Sequence, residues 1–201
     1  MDDKFDVFGS DLSGLDDMNL DIGAAVDDVD LHAAHDMDAT GNVLYRVPFF
    51  RTKYMMSMSV SQSDKPRIRF TFMKAVGDNT RKFDKSTATR LDLDKNEVLS
   101  LIWYIESQLQ KPDAQHWKIT HDSQKAGANQ ASSSLKTLEV GLAKDQKSFG
   151  VALNSKKPDG TFESFVITFD PMQFKVFLYE LKKCMYYMEF NTIQGFTFNW
   201  V

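Results

Sequence analysis

The feature that most constrains this chain is an internal repeat centred on a strand-to-helix junction. Leu91-Asp92-Leu93-Asp94-Lys95-Asn96-Glu97-Val98 lies over Ile167-Thr168-Phe169-Asp170-Pro171-Met172-Gln173-Phe174, seventy-six residues later. In each copy two alternating apolar residues close a strand and an aspartate follows at the N-cap position. A Glu or Gln stands three residues on, so Asp94…Glu97 and Asp170…Gln173 both spell a capping box. Pro171 falls at the first helical position, where its missing N–H costs nothing. Beyond the caps the apolar residues take a helical period. Val98, Leu101, Ile102, Ile105 and Leu109 form one stripe, and Phe174, Phe177, Leu178, Leu181 and Met185 repeat it at the same offset.

Upstream of each helix the period changes to two, the signature of a strand with one buried face. In the first copy strands are expected over 43–50, 53–60, 67–74 and 86–93, with Tyr54/Met56/Met58/Val60 and Ile68/Phe70/Phe72 facing inward. In the second they are expected over 116–121, 135–143, 148–155 and 161–169. There Leu138/Val140/Leu142, Phe149/Val151/Leu153 and Phe165/Ile167/Phe169 face inward. Turn chemistry separates them at Ser63-Asp64-Lys65-Pro66, Gly77-Asp78-Asn79 and Lys157-Pro158-Asp159-Gly160. A polar stretch over 123–134, rich in Gln, Ala, Ser and Asn, reads as a mobile loop. The expectation is an α+β fold of two ββββα repeats, 43–110 and 116–189. Each antiparallel sheet is expected to lie under its own helix on one face and to be open on the other. Together the repeats form one domain over 41–201 that closes with an aromatic segment, 190–201.

Charge divides the 201 residues unevenly. Residues 1–40 hold twelve aspartates and one lysine, a net charge of −11. The remainder carries 23 lysines and arginines against 16 acids, so a formal net charge of −4 conceals a basic body. The arm scatters Phe5, Val7, Phe8, Leu12, Leu15, Met18, Leu20 and Ile22 among its acids, too little apolar mass to build a core, and is expected to be disordered. It reads either as a solubilising tail or as an acidic, aromatic-studded peptide that competes with polyanions for the body or docks on a partner protein. His32, His35, Asp36 and Asp38 have metal-ligand spacing but no scaffold to fix them, so they read as a solvated charge run.

The positive excess lies in the first sheet. Residues 43–93 contain eleven basic and four acidic residues, whereas residues 116–169 contain seven and five. With Ile68, Phe70 and Phe72 inward, Arg67 and Arg69 face outward; Lys53, Arg46 and Arg90 fall on the outward phase by the same reasoning. Phe50 and Phe83 stand in adjoining turns with Arg51, Arg81 and Lys82 beside them. Cations that track phosphates, interleaved with rings that stack on unpaired bases, suit a single nucleic-acid strand. Surface lysines and arginines also solubilise sheets and guard edges. Their concentration on one sheet, opposed by an acidic arm, favours binding.

Four strands followed by a helix through a junction such as Leu91–Val98 resembles the PC4-type transcriptional coactivator domain, and two such units in one chain resemble the Whirly proteins. The resemblance spans residues 43–189. It implies a sheet surface that binds single-stranded DNA with little sequence preference, and helix pairing within the chain of the kind PC4-like dimers make between chains. It also places compact single-stranded DNA-binding proteins of bacteriophages among the expected relatives. The lysine-glycine-lysine strand motif of plant Whirly proteins is absent, and Arg51-Thr52-Lys53-Tyr54 stands near its place, which points to a phage or bacterial source.

No phosphate-binding loop, dinucleotide fingerprint, zinc-ligand set or nucleophile elbow is present, so neither catalysis nor a cofactor is expected. Cys184 beside the second helical stripe reads as a buried, inert thiol. Trp103-Tyr104 and Tyr186-Tyr187 are expected to pack within the helix layer. The opening residues lack the apolar core of a secretory signal and no apolar run is long enough to span a bilayer, so a cytoplasmic protein without membrane contact is expected. The leading expectation is a non-catalytic single-stranded DNA-binding protein of replication, recombination or transcription, with RNA as the alternative ligand. Protein partners are expected through the arm or the aromatic C-terminus, as is homo-oligomerisation. The competing expectation is a scaffolding protein that uses its sheets and Gly195-Phe196-Thr197-Phe198-Asn199-Trp200-Val201 for assembly.

Overall fold

Both capping boxes form, and they fix where each sheet ends and each helix begins. In the computed structural model, which describes residues 43–61, 65–76, 82–122, 134–157 and 159–193, the Asp94 carboxylate accepts from the N–H groups of Asn96 (2.9 Å) and Glu97 (3.0 Å). Glu97 reaches back to the Asp94 N–H at 2.8 Å. Asp170 accepts from the Gln173 N–H at 2.7 Å, with Gln173 returning to the Asp170 N–H at 3.4 Å. These bonds satisfy donors that the first helical turn leaves orphaned.

The first repeat runs β1 (Val43–Phe50), β2 (Tyr54–Ser61), β3 (Ile68–Lys74), β4 (Thr89–Leu93) and α1 (Lys95–Gln110). The second runs β5 (Trp117–Asp122), β6 (Leu135–Leu142), β7 (Phe149–Lys156), β8 (Phe162–Phe169) and α2 (Pro171–Ile193). Each set of four strands forms an antiparallel meander in sequence order. Among the described residues, no helix is long and apolar enough to cross a membrane. The 123–133 part of the expected mobile loop, the metal-like histidines and the acidic arm lie outside the described residues.

One strand is shorter than its alternation suggests. Residues 86–88 do not join β4; Lys85–Thr87 form a short 3-10 turn capped by Asp84. The Asp84 carboxylate takes the Ser86 N–H (2.8 Å) and hydroxyl (2.6 Å), and the Thr87 hydroxyl bridges the Asp84 carbonyl (2.7 Å) and the Lys74 N–H (3.1 Å). Short polar side chains thus take over backbone groups that a ladder would otherwise use.

The helices meet the expectation that each covers its own sheet only in part: within the second repeat Phe174 of α2 stacks on Phe149 at 4.3 Å and Phe177 on Phe169 at 5.4 Å. α2, from the second repeat, crosses the first sheet: Tyr45 stacks on Tyr187 at 4.8 Å, Phe49 meets Phe177 at 5.7 Å, and the Tyr45 hydroxyl donates to Glu180. α1 leans instead on the second repeat, where Trp117 Nε1 donates to Ser100 Oγ (2.9 Å) and His121 meets Glu97 (2.8 Å). The two helices run antiparallel. Lys95, at the start of α1, pairs with Glu189 near the end of α2 at 2.9 Å, and Glu106 pairs with Lys182 at 2.5 Å. Glu106 and Lys182 are repeat equivalents, so this contact joins the same position of the two halves. The exchange of helices joins both inner sheet faces into one core, from Met56, Ile68 and Phe72 through Leu101 and Ile105 to Val151, Phe165 and Phe177.

Candidate nucleic-acid interface

The outer face of the first sheet follows from strand register. One cross-strand row reads Arg46–Ser59–Arg69–Asp92, the next Pro48–Ser57–Thr71–Arg90, and a third begins Phe50–Met55–Met73. Arg69 and Arg90 stand outward, and Arg67 is exposed just before β3. The face is not a flat open sheet, however. Met55, Ser57, Ser59, Thr71 and Met73, on the outward phase of the central strands, are buried. Of these, Ser57, Thr71 and Met73 floor a cleft whose lining is completed by Arg46 from β1, Lys85 and Ala88 from the 3-10 turn, and Arg90 from β4. Three cationic residues thus line one shallow cleft together with the hydroxyl-bearing Ser57 and Thr71, groups able to contact phosphate oxygens. Arg69 makes a bidentate pair with Asp92 at 2.8 and 3.0 Å, so part of its charge is neutralised on the sheet. Lys85 was not among the site residues expected from sequence; it stands one residue before the expected 86–93 strand, and the 3-10 turn at 85–87 brings it to the cleft.

At one end of this face lies an aromatic and basic group. Beyond β3 the chain doubles back: Val76 donates to the Lys82 carbonyl, Asp84 to that of Lys74, and Ala75 bridges Phe83. This arm sets the Phe83 ring 5.6 Å from Phe50, the two planes inclined at 38°. Exposed Lys82 stands on the same arm. Exposed Lys53 lies in the neighbouring turn, its carbonyl accepting from the Ala75 N–H at 2.9 Å. Arg67 and Arg69 lie toward the opposite end, so the candidate face extends roughly 20 Å along β3 at about 3.3 Å per residue. Arg81 lies outside the described residues.

Arg51 does not join this group. Its guanidinium donates twice to the Thr168 carbonyl (3.0 and 2.8 Å), to Gln173 Oε1 (2.7 Å) and to the Phe50 carbonyl (2.8 Å), and it lies 5.1 Å over the Phe169 ring. Burial lowers its pKa, against the opposing pull of Asp170. The residue ties β1 to the junction between β8 and α2.

The second sheet shows what the same scaffold looks like without this chemistry. Matching the Ile68–Leu93 rung to Phe149–Phe169 sets Glu139 where the first sheet has Ser57, Val166 where it has Arg90, and His116 where it has Arg46. Glu139 is only 3% exposed, and its carboxylate holds His116 Nδ1 at 2.6 Å and Lys118 Nζ at 3.0 Å. The His116 ring lies flat over Gly141; a Cβ on that glycine would come within 2.2 Å of it. The carboxylate at the centre pairs with both cations, so this face offers less free positive charge than the first.

Two further expectations from sequence are resolved. Cys184 is fully buried and its thiol is pushed up to about 12 by desolvation, reinforced by Glu180. Tyr104 and Tyr187 are partly buried, but Trp103 is 78% exposed and Tyr186 63%, so neither packs into the helix layer as expected. Both fall on the helix side turned from the core, which residue type alone did not reveal.

Matches among solved structures share this architecture. The structure of WHY3 from Arabidopsis thaliana superposes with a TM-score of 0.57 at 14% identity, covering 78% of this chain and 95% of that one. WHY1 from the same plant gives 0.53 at 16%, over 75% and 92%. The chain has a Whirly-like fold. The plant transcriptional regulator PBF-2 agrees, at 0.55 and 17% identity over 78% of this chain and 98% of that one. No protein-family model matches the sequence, and no curated protein matches it.

Proposed function

We propose that the protein is a non-catalytic, single-stranded nucleic-acid-binding protein that holds DNA across the outer face of its first sheet. The observation that carries this reading is that Arg46, Lys85 and Arg90 line one hydroxyl-bearing cleft, with the Phe50–Phe83 pair at one end. Cations follow the backbone without regard to sequence, and rings accept any base face. Arg67, Lys53 and Lys82 extend the positive track, whereas Arg51 serves the fold. The Whirly-like fold supports the reading, as does the absence of the same group from the second sheet. A role in replication, recombination or transcription follows from affinity for unpaired strands; the similar PBF-2 is itself a plant transcriptional regulator.

In this reading the acidic arm is a tethered competitor. Its net charge of −11 opposes the first sheet, and it offers a docking peptide to protein partners once nucleic acid displaces it. Fluorescence anisotropy with labelled single-stranded DNA, duplex DNA and RNA tests the assignment. The expected order places single-stranded DNA well above duplex, and absence of single-strand binding at low salt sinks the proposal. Equal or tighter binding of RNA would make RNA the ligand. A chain lacking residues 1–40 is expected to bind more tightly, with the gain shrinking as salt rises; an unchanged affinity across the series would remove the arm from the mechanism.

A further inference from the structure

The cleft on the first sheet is too small for the group that its cations attract. It encloses about 30 Å³. A water-sized group needs about 10–15 Å³ of such space, so roughly two small groups fit and a phosphate with its four oxygens does not. Phosphates therefore meet Arg46, Lys85 and Arg90 at the mouth, and what enters must be narrower. The edge of a base is narrow enough.

The lining changes character along the strands. Ser57 pairs with Thr71 and Thr71 with Arg90, so two hydroxyls and a guanidinium share one cross-strand row, and Arg46 stands in the row beside it. In the other direction Phe72 pairs with Thr89, which makes Met73 and Ala88 the next residues of the two segments. Both line the cleft. Met73 also closes the row Phe50–Met55–Met73, so this apolar wall is continuous with the end of the face that carries the Phe50–Phe83 pair. Among the described residues, no carboxylate lines the cleft.

Donors beside an apolar wall discriminate among bases. On their major-groove edges cytosine and adenine present an amine, a donor that would meet donors and positive charge. Guanine presents O6 beside N7, two acceptors with nothing for the apolar wall. Thymine sets a carbonyl oxygen, O4, next to its 5-methyl group. These are two small groups of opposite character, side by side, in the order that the cleft provides. Uracil keeps the oxygen and lacks the methyl.

We propose that the cleft reads thymine, taking O4 against Ser57, Thr71 and the flanking cations and the 5-methyl against Met73 and Ala88. The inference rests on the single-strand reading of this face. It adds a base preference to that reading and, because RNA carries uracil, a preference for DNA. The other contacts follow the backbone, so the preference is a graded bias on binding that tolerates every sequence.

Competition titrations with oligo-dT, oligo-dU and oligo-5-methyl-dC of one length test the proposal on the unaltered chain. Exchanging dT for dU removes only the methyl and is expected to weaken binding about fourfold, the contribution of one methyl leaving water. Exchanging dT for 5-methyl-dC keeps the methyl and replaces O4 by an amine, and is expected to weaken binding about tenfold or more. A methyl also strengthens stacking on Phe50 and Phe83, and Ala88→Leu separates the two effects by filling the apolar end of the cleft. In that variant, with melting as the check on folding, the dT-to-dU ratio should fall to about one. Equal affinity for dT and dU overturns the proposal, as does equal affinity for dT and 5-methyl-dC. A ratio that survives Ala88→Leu in the folded variant overturns the assignment to this cleft. Failure to bind any of the three at low salt is a different result: it removes the single-strand reading itself, and the inference falls with it.

Discussion

Replacing Arg46, Lys85 and Arg90 together by glutamine removes the three cations that line one cleft while leaving its floor of Ser57, Thr71 and Met73 in place. For a single strand, each phosphate contact contributes about 0.7 to the slope of log affinity against log salt. Three lost contacts should therefore flatten that slope by about 2. At about 0.1 M monovalent salt the same relation weakens binding roughly a hundredfold, or about 3 kcal/mol. The assay is anisotropy of a labelled oligonucleotide titrated at several salt concentrations, with thermal melting to show that the variant is folded. Lys144→Gln and Lys147→Gln, in the exposed turn between β6 and β7, with Lys175→Gln on exposed α2, form the matched three-charge control, which should leave both slope and affinity nearly unchanged. If the triple variant keeps the parent's slope, the cleft does not hold phosphate. If the control loses as much, binding follows net charge, and the distinction drawn between the two sheets is wrong.

The aromatic end should behave differently: Phe50→Ala with Phe83→Ala is expected to cost about 1–3 kcal/mol per stacked base in the same titrations, with the salt slope unchanged. Arg51→Ala should lower stability in urea unfolding by about 2–3 kcal/mol, since it strips charged donors from the half-buried Thr168 carbonyl, while the folded variant retains its affinity. A large affinity loss without destabilisation would return Arg51 to the binding face. Gly141→Ala drives a methyl into the His116 ring and should cost about 1–3 kcal/mol by the same assay. In a His116→Ala background that penalty should nearly vanish, and persistence of the full cost would show that Gly141 is needed for another reason.

The eight strands and two helices were legible because their signals are local. Alternation over β1 or β7 and the capping boxes at Asp94 and Asp170 involve residues within a few positions of one another. The partners of the apolar stripes were not legible. Phe177 satisfies its helical pattern equally well against either sheet, and its packing on Phe49 depends on a chain path 128 residues long. Arg51 shows the same limit, because nothing near it in sequence announces the Thr168 carbonyl that holds it. One missed signal was present: Met55 and Met73 fall on the supposedly open phase of β2 and β3, and two methionines there foretell a covered floor. The rim was half legible, with Arg46 and Arg90 placed by phase, whereas Lys85, just before the expected strand, reaches the cleft only through the 3-10 turn.

The exchange of helices explains why a protein with one cationic sheet retains two. α2 covers the inner side of β1 through Tyr187 on Tyr45 and Phe177 on Phe49, and Arg51 fastens the end of β1 to the end of β8. The first repeat therefore lacks the helix that buries its own sheet, and the second repeat supplies it. On the proposed reading, nucleic-acid affinity constrains the outer positions of the first sheet, whereas the inner positions of both sheets are held by one shared core. At the outer positions of the second sheet the constraint is packing alone. There a buried Glu139 pairs with His116 and Lys118, and Gly141 leaves room for the imidazole. Differences between the halves accordingly gather on the outer faces, and the repeat survives where the helices meet. Glu106 and Lys182 mark that boundary: they occupy one equivalent position, yet carry opposite charges, so a contact that a symmetric dimer would make between like charges is closed within one chain by an ion pair.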